Sequence, residues 1–170
     1  MQSSRSMIRA FQFPRASIPF STTLRSMIDN VLPAIVALIA AFLFQWGTGP
    51  SWTLIFVIPL FLLIHVFGCG LMMITARLTA QVPEAKTILG LFTRGLFFLS
   101  GVMFSVDRFA EHSVVHEIMT ANPCYIFLTA VRDSSVYRTA PSLSTWGDLL
   151  AWSLGVFVLG FIFFWRAEDK

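Results

Sequence analysis

The stretch that decides the fold covers residues 30–76 and reads NVLPAIVALIAAFLFQWGTGPSWTLIFVIPLFLLIHVFGCGLMMITA. These 47 residues contain no Asp, Glu, Lys or Arg. Because a helix needs about 20 apolar residues to cross the hydrocarbon core of a bilayer, the stretch is long enough for two crossings. The sequence Gly47-Thr48-Gly49-Pro50 marks the turn between them, and it has a Trp near each side. The stretch therefore predicts two membrane spans, at residues 30–46 and 52–75, joined by a tight hairpin.

The composition of the whole chain also indicates a membrane protein. Of its 170 residues, 56% are hydrophobic and 12% are charged, whereas a soluble domain has roughly 25% charged residues. This excludes a disordered chain and does not fit an ordinary soluble enzyme. The two cysteines, Cys69 and Cys124, are too few and too far apart for a disulfide framework or a Cys-rich metal site. No cluster of Lys and Arg has the interleaved aromatic residues of a nucleic-acid surface, so no nucleic-acid partner is predicted.

Two further apolar runs predict two more spans. Residues 88–106 carry one charged side chain, that of Arg94, and a span at 147–165 is anchored by a Trp before it and an Arg after it. Residues 107–146 are polar with scattered apolar side chains, which predicts short amphipathic helices at one membrane face, and residues 1–29 form a cytoplasmic, interfacial segment. The sequence thus predicts an all-α, polytopic membrane helix bundle with four transmembrane helices, built as one domain over residues 1–170.

The orientation follows from the Lys and Arg residues near the ends of the spans. Eight of them would lie on one side of the membrane and three on the other, within residues 107–146. Because loops rich in Lys and Arg stay in the cytoplasm, both termini are predicted to be cytoplasmic. Residues 107–146 are then on the outer face of the cell membrane.

Residues that could carry catalysis or bind a metal are few. The chain has no phosphate-binding loop, no nucleophile elbow and no Asp-rich metal motif. His112 and His116 have the spacing that places two imidazoles on one helix face, but zinc requires a third protein ligand. His65 is alone in an apolar span, where it is either a functional ionisable group or a neutral imidazole hydrogen-bonded within the bundle. The sequence predicts no metal, no cofactor and no catalytic residue.

Arg94 is the charged residue within the third predicted span. A guanidinium in hydrocarbon must reach the membrane surface, find a partner or face a polar cavity. Two interpretations therefore stay open: a short or tilted span from which Arg94 reaches the headgroups, and a cavity in which Arg94 meets an anionic substrate. Phe97 and Phe104 lie on the same span, and their rings would face lipid or line a path for sugar rings.

Four stretches together resemble one known family. They are FQFPRA at residues 11–16, ARL at 76–78 followed by VPE at 82–84, SGVMFSVDRF at 100–109, and Asn122-Pro123 followed by Arg132-Asp133. In this order and spacing the chain resembles the permease subunit of polysaccharide-export ABC transporters, the type-2 exporters of O-antigen, teichoic acid and galactan. The stretch at 100–109 is most similar to the galactan exporters of actinobacteria.

The resemblance implies a role for several residues. Phe13, Pro14 and Arg15 would form the coupling helix that contacts the ATPase subunit. The outer gate would contain the residues Asp107, Arg108, Asn122, Pro123, Arg132 and Asp133, with Asn122-Pro123 in the turn between its two helices and Arg132-Asp133 on the second helix. The family has six spans, so the chain is expected to be truncated at its N-terminus and to begin between spans two and three.

The resemblance also implies the partners. These are an ABC ATPase subunit, a second copy of the permease, membrane lipid and a lipid-linked polysaccharide that crosses the plasma membrane. The chain would then be a transport subunit and not an enzyme. Two alternatives stay open: a membrane-embedded enzyme that modifies lipid or glycan through His112, His116 and Glu117, and a small structural membrane subunit.

Overall fold

The computed structural model describes residues 17–44, 49, 51–82, 84–102 and 113–166. All regular structure in these residues is helical, which confirms the predicted all-α class. In chain order the elements are α1 (Ser17–Phe44), a 3-10 turn (Trp52–Phe56), α2 (Val57–Gln81), α3 (Ala85–Leu99), α4 (Ser113–Ala121), α5 (Pro123–Arg132), a π-helical turn (Asp133–Tyr137) and α6 (Leu143–Trp165).

Within the described ranges, three helical segments are long and apolar enough to cross a membrane: Ser17–Leu43, Trp52–Gln81 and Leu143–Trp165. They contain or overlap the predicted spans at 30–46, 52–75 and 147–165, and each is longer than its prediction. The fourth predicted span, at 88–106, corresponds to α3, which has 15 residues. After α3 the chain turns at Gly101, whose φ of 71° is left-handed, and residues 103–106 lie outside the described ranges. The count of four spans stays a prediction.

Helix α1 begins earlier than the apolar run alone indicated. Thr22 and Thr23 are part of the helix, and their hydroxyl groups donate to the carbonyls of residues 18 and 19, four positions back, so their polar groups are satisfied within it. Arg25 and Asp29 then form an i,i+4 ion pair at 3.6 Å. Residues 17–29, assigned above to an interfacial segment, therefore continue the helix of the first span.

Helices α2 and α6 form the most extensive helix pair of the bundle. They cross at Gly70 and Gly160, where the backbones touch with no side chain between them. Helix α5 inserts beside them, because the buried ring of Phe127 packs on Phe67 with ring centres 5.9 Å apart. The second predicted gate helix therefore dips into the bundle core instead of resting on its surface.

One end of the bundle gathers Gly49, the 3-10 turn, the end of α5 and the start of α6. The buried Thr53 hydroxyl donates to the Ser134 carbonyl at 2.7 Å, which ties the 3-10 turn to the π-helical turn. Arg138 donates to the Gly49 carbonyl at 2.6 Å. Residues of the predicted hairpin and of the predicted gate region thus share one end of the molecule, as the charge pattern requires.

Candidate functional site

Helix α3 presents two different flanks beside the narrow strip that contacts the bundle. The half-buried residues Ala85, Leu89 and Leu96 share the strip that faces α2 and α5. One flank of this strip is apolar and exposed. The other flank, called here the polar face of α3, is also exposed and contains Lys86, Gly90, Thr93, Arg94 and Phe97.

Arg94 lies on the polar face. Its side chain is exposed. Among the described residues the ion pair found joins Arg25 to Asp29, so no described carboxylate pairs with Arg94. Gly90, one turn before it, has open space where a side chain would be. Phe97, one turn after it, is 48% exposed. The guanidinium of Arg94 is therefore accessible to a ligand that approaches this face.

The turn between α4 and α5 is built by Asn122 and Pro123. The Asn122 side-chain oxygen accepts a hydrogen bond from the Cys124 amide at 3.0 Å, and Pro123 occupies the first turn of α5, where its missing N–H leaves no bond unmade. The Asn122 amide also donates to the Leu96 carbonyl at 3.5 Å. The structure thus places the predicted turn of the gate against α3, beside the helix segment that bears Arg94.

Arg132 and Asp133 lie at the opposite end of α5 from Asn122. The Asp133 carbonyl accepts the Thr139 amide at 3.0 Å, which holds the loop that leads to α6. Burial raises the pKa of the Asp133 carboxyl, and the positive charge of Arg132 lowers it by a smaller amount. These two residues are therefore separate from the Asn122 turn, and they belong to the end of the bundle that carries the hairpin.

Six of the predicted site residues fall outside the described ranges. They are Phe13, Pro14 and Arg15 of the predicted coupling helix, Phe104 of the predicted substrate path, and Asp107 and Arg108 of the predicted gate. Their roles stay predictions.

A polar pair that spacing did not reveal joins α1 to α2. The His65 Nδ1 donates to the Phe61 carbonyl at 2.7 Å, so Nε2 is the acceptor for the Asn30 amide at 3.4 Å. The pair lines a mostly apolar cleft of about 360 Å³ between α1, α2 and α5. This supports the interpretation of His65 as an imidazole that is hydrogen-bonded within the bundle. Asn30 could not be identified as the partner from the sequence, because it is uncharged and 35 positions away along the chain.

The described residues contain no group of three or more His, Cys, Asp or Glu side chains that could hold a metal ion. Cys69 is buried, and Cys124 is half-buried, where burial raises the pKa of its thiol. A protonated thiol is a poor nucleophile. The two cysteines are therefore suited to packing more than to covalent chemistry.

Comparison with protein families decides the class to which these helices belong. A family model described as ABC-2 type transporter matches residues 2–136. The chain belongs to the ABC-2 type transporter family. Comparison with the curated proteins and with the solved structures gives no match. The matched range contains the hairpin, α3 and both predicted gate helices, while α6 follows it.

Membership of the ABC-2 family makes this chain a membrane permease subunit of an ABC exporter. An ABC-2 permease is a transport subunit and not a catalytic enzyme, and it implies an ABC ATPase as its partner. The resemblance to type-2 ABC exporters is thereby confirmed. The alternative of an enzyme that acts through His112, His116 and Glu117 does not fit this family.

Proposed function

We propose that this ABC-2 chain is the transmembrane subunit of an exporter that moves a lipid-linked polysaccharide across the plasma membrane. The driving force is ATP hydrolysis on the partner ATPase. The observation that carries the proposal is the exposed guanidinium of Arg94 on the polar face of α3.

The charge of Arg94 favours an anionic ligand. Its guanidinium stays protonated at any physiological pH, and no carboxylate of the described residues lies within ion-pair distance of it. Arg binds phosphate through two parallel hydrogen bonds, which suits the pyrophosphate of a lipid-linked glycan. Lys86, on the same face two turns earlier, adds positive charge at the side from which such a substrate would enter.

The composition of the polar face also supports a second copy of the chain. An exposed strip of Lys86, Thr93 and Arg94 is unfavourable against lipid, because charged and polar groups in hydrocarbon need a partner or water. Two copies that turn their α3 helices towards each other would enclose a polar path. Phe97 lies on the same face, where its ring would pack against the C–H edges of sugars that follow the pyrophosphate.

The contact between α3 and the Asn122 turn supports the gate assignment. Because the Asn122 amide bonds to the carbonyl of Leu96, a movement of α3 is transmitted directly to the start of α5. The gate helices lie on the outer face in the proposed topology, and both termini are cytoplasmic. A cysteine introduced at Ser113 should react with a reagent added outside, and one introduced at Gln81 should not; the reverse pattern would contradict this topology.

Replacement of Arg94 tests the substrate role. In cells that carry the chain together with its ATPase, Arg94→Gln should strongly reduce the glycan that reaches the surface, while the protein level and ATPase association stay normal. Arg94→Lys should restore part of the export, because Lys keeps the charge but not the paired hydrogen bonds. Arg25→Gln is the matched control, since Arg25 is an exposed Arg on α1 that is paired with Asp29. Export at the normal rate by Arg94→Gln would refute the role.

Replacement of Arg15 tests the coupling role that the resemblance implies. Arg15→Glu should release the ATPase from the membrane or uncouple ATP hydrolysis from export, because the reversed charge would repel its contact surface. ATPase binding and export that both remain unchanged would contradict the assignment of the coupling helix.

A further inference from the structure

A second cleft, which no part of the proposed path uses, lies between α4, α5, the π-helical turn and the start of α6. Its volume is about 440 Å³. This is within the range of roughly 300–1,000 Å³ that is typical of small-molecule sites. We call it the gate cleft. The polar residues that line it include Thr120, Tyr125, Thr129, Asp133, Thr145 and Asp148.

The charges of the gate cleft exclude an anionic ligand. Asp133 and Asp148 contribute two carboxylates, and the described residues that line the cleft include no Lys, Arg or His. An approaching phosphate or carboxylate would meet like charges, and the nearby Arg132, whose charge acts on Asp133, does not line the cleft. The gate cleft therefore cannot bind the same group as Arg94, and its ligand must supply hydrogen-bond donors.

The hydrogen-bonding state of the lining points to a ligand with hydroxyl groups. The Thr129 Oγ1 is buried and has no hydrogen-bond partner among the described residues, which is an unfavourable state for a hydroxyl group unless a rotation of the side chain brings it to a ligand or water in the cleft. The Tyr125 side chain is half-buried and lines the same cleft, so it adds an aromatic ring and a phenol group. Hydroxyl donors and acceptors, carboxylate acceptors and an aromatic ring therefore surround one cavity.

We propose that the gate cleft binds a neutral sugar residue of the exported glycan. This rests on the proposed function and adds to it a binding site for the sugar portion of the substrate, separate from the site for its anionic head. Carboxylates accept hydrogen bonds from sugar hydroxyl groups, Thr129 pairs with a further hydroxyl group, and the ring of Tyr125 packs against the sugar. The cavity is much larger than a bare metal ion, and one sugar ring would reach groups on several of its walls.

Binding is tested on the purified full chain in lipid nanodiscs, without ATP or the ATPase. Saturation-transfer NMR would be recorded with methyl β-galactoside and methyl α-mannoside as neutral probes and with methyl glucuronide as the anionic probe. We expect transfer to at least one neutral sugar and none to the glucuronide. Absence of transfer to both neutral sugars, or equal transfer to the glucuronide, would overturn the proposal.

Variants locate the binding within the cleft. Asp133→Asn and Asp148→Asn should each weaken binding of the neutral sugar at least tenfold. Thr129→Val, which keeps the side-chain shape, should weaken it as well. Glu117→Gln is the matched control, because Glu117 is exposed on α4 and does not line the cleft. Binding that is equally strong in the control and in all three cleft variants would show that the sugar binds elsewhere.

The outcomes separate this proposal from the proposed function. If the neutral sugars do not bind but Arg94→Gln still blocks glycan export, the cleft proposal is wrong and the proposed function stands. If the sugars bind as expected but loss of the chain leaves glycan export intact, the proposed function is wrong and the cleft remains a sugar site. Binding of Ca²⁺ alone, with no sugar binding in its presence or absence, would also overturn the cleft proposal.

Discussion

The crossing of α2 and α6 should tolerate no side chain at its two glycines. A Cβ atom added to Gly70 would lie 2.5 Å from the Val156 carbonyl oxygen and 2.6 Å from the Phe157 nitrogen. A Cβ added to Gly160 would meet the Gly70 backbone in the same way, with 3.0 Å to its Cα. The obstructing atoms belong to the backbone, so they cannot move aside as a flexible side chain would. Gly70→Ala and Gly160→Ala must therefore push the two helices apart.

The size of the effect follows from these distances. Atoms in van der Waals contact are roughly 3.5–4.0 Å apart, so relief of the Gly70 clash requires a displacement of about 1 Å at the crossing. Overpacking of a tightly packed site costs about 1–3 kcal/mol, and a clash with backbone on both sides should lie at the upper end. A cost of about 3 kcal/mol raises the ratio of unfolded to folded protein by roughly a hundredfold.

The assay is unfolding of the purified chain in mixed detergent micelles, followed by loss of helical circular dichroism. Gly155→Ala on α6 and Gly68→Ala on α2 are the matched controls, because an added Cβ has nothing within 4 Å at either position. These controls should be neutral or slightly stabilising, since Ala favours a helix over Gly by about 0.5–1 kcal/mol. If Gly70→Ala were as stable as the controls, the close crossing of α2 and α6 would be refuted.

Three further changes test contacts that join distant parts of the chain. Thr53→Val removes the buried hydrogen bond to Ser134 and should cost about 1–3 kcal/mol in the same unfolding assay, because the carbonyl is left unpaired. Asn30→Ala removes the interhelical bond to His65 and should cost only about 0.6 kcal/mol, the size typical of such bonds in membranes. Asp133→Asn should flatten the pH dependence of stability. Burial raises the pKa of Asp133 above its ordinary 3.8 in the folded state, so its stabilising contribution is present below that value and is lost as the pH rises through the folded pKa.

The controls for these three changes use residues of the same type elsewhere. Thr93→Val on exposed α3 removes a hydroxyl that bonds only within its own helix, and it should be nearly neutral. Asp29→Asn is the matched carboxylate-to-amide control for Asp133→Asn, because Asp29 is exposed on α1. If Thr53→Val were as stable as Thr93→Val, the buried bond to Ser134 would be contradicted. No loss of stability in Asn30→Ala would contradict the bond to His65. Unchanged pH dependence in Asp133→Asn would contradict the burial of the Asp133 carboxyl.

Sequence reasoning was sufficient for features that depend on neighbouring residues. The helices Trp52–Gln81 and Leu143–Trp165 follow from the length of uninterrupted apolar sequence, because the bilayer sets the length of a crossing. The turn at Asn122 and Pro123 was implied by the resemblance, and the structure forms it by local capping between residues two positions apart. The family was also evident in the sequence, because its motifs occur in order along the chain.

The start of α1 at Ser17 shows where apolar patterning stops being informative. The polar residues before the apolar run continue the helix with their hydroxyl groups bonded to carbonyls four positions back, and a count of apolar residues does not show that such polar residues can extend a span. The early end of α3 is a second feature that apolar patterning does not show. Gly101 adopts a left-handed conformation that glycine permits but does not require, so its presence in the sequence could not show that the helix ends there.

The tertiary structure alone decided which distant residues meet. Asn30 reaches His65 across two helices, and the gate cleft combines Asp133 with Asp148 from different elements. Hydrophobicity drives helices into the membrane, but within lipid it neither drives them together nor specifies which faces touch. That choice depends on shape, as at the close approach of α2 and α6, and on pairing each buried polar group with a partner. Both depend on the positions of all the helices at once, which no local stretch of sequence contains.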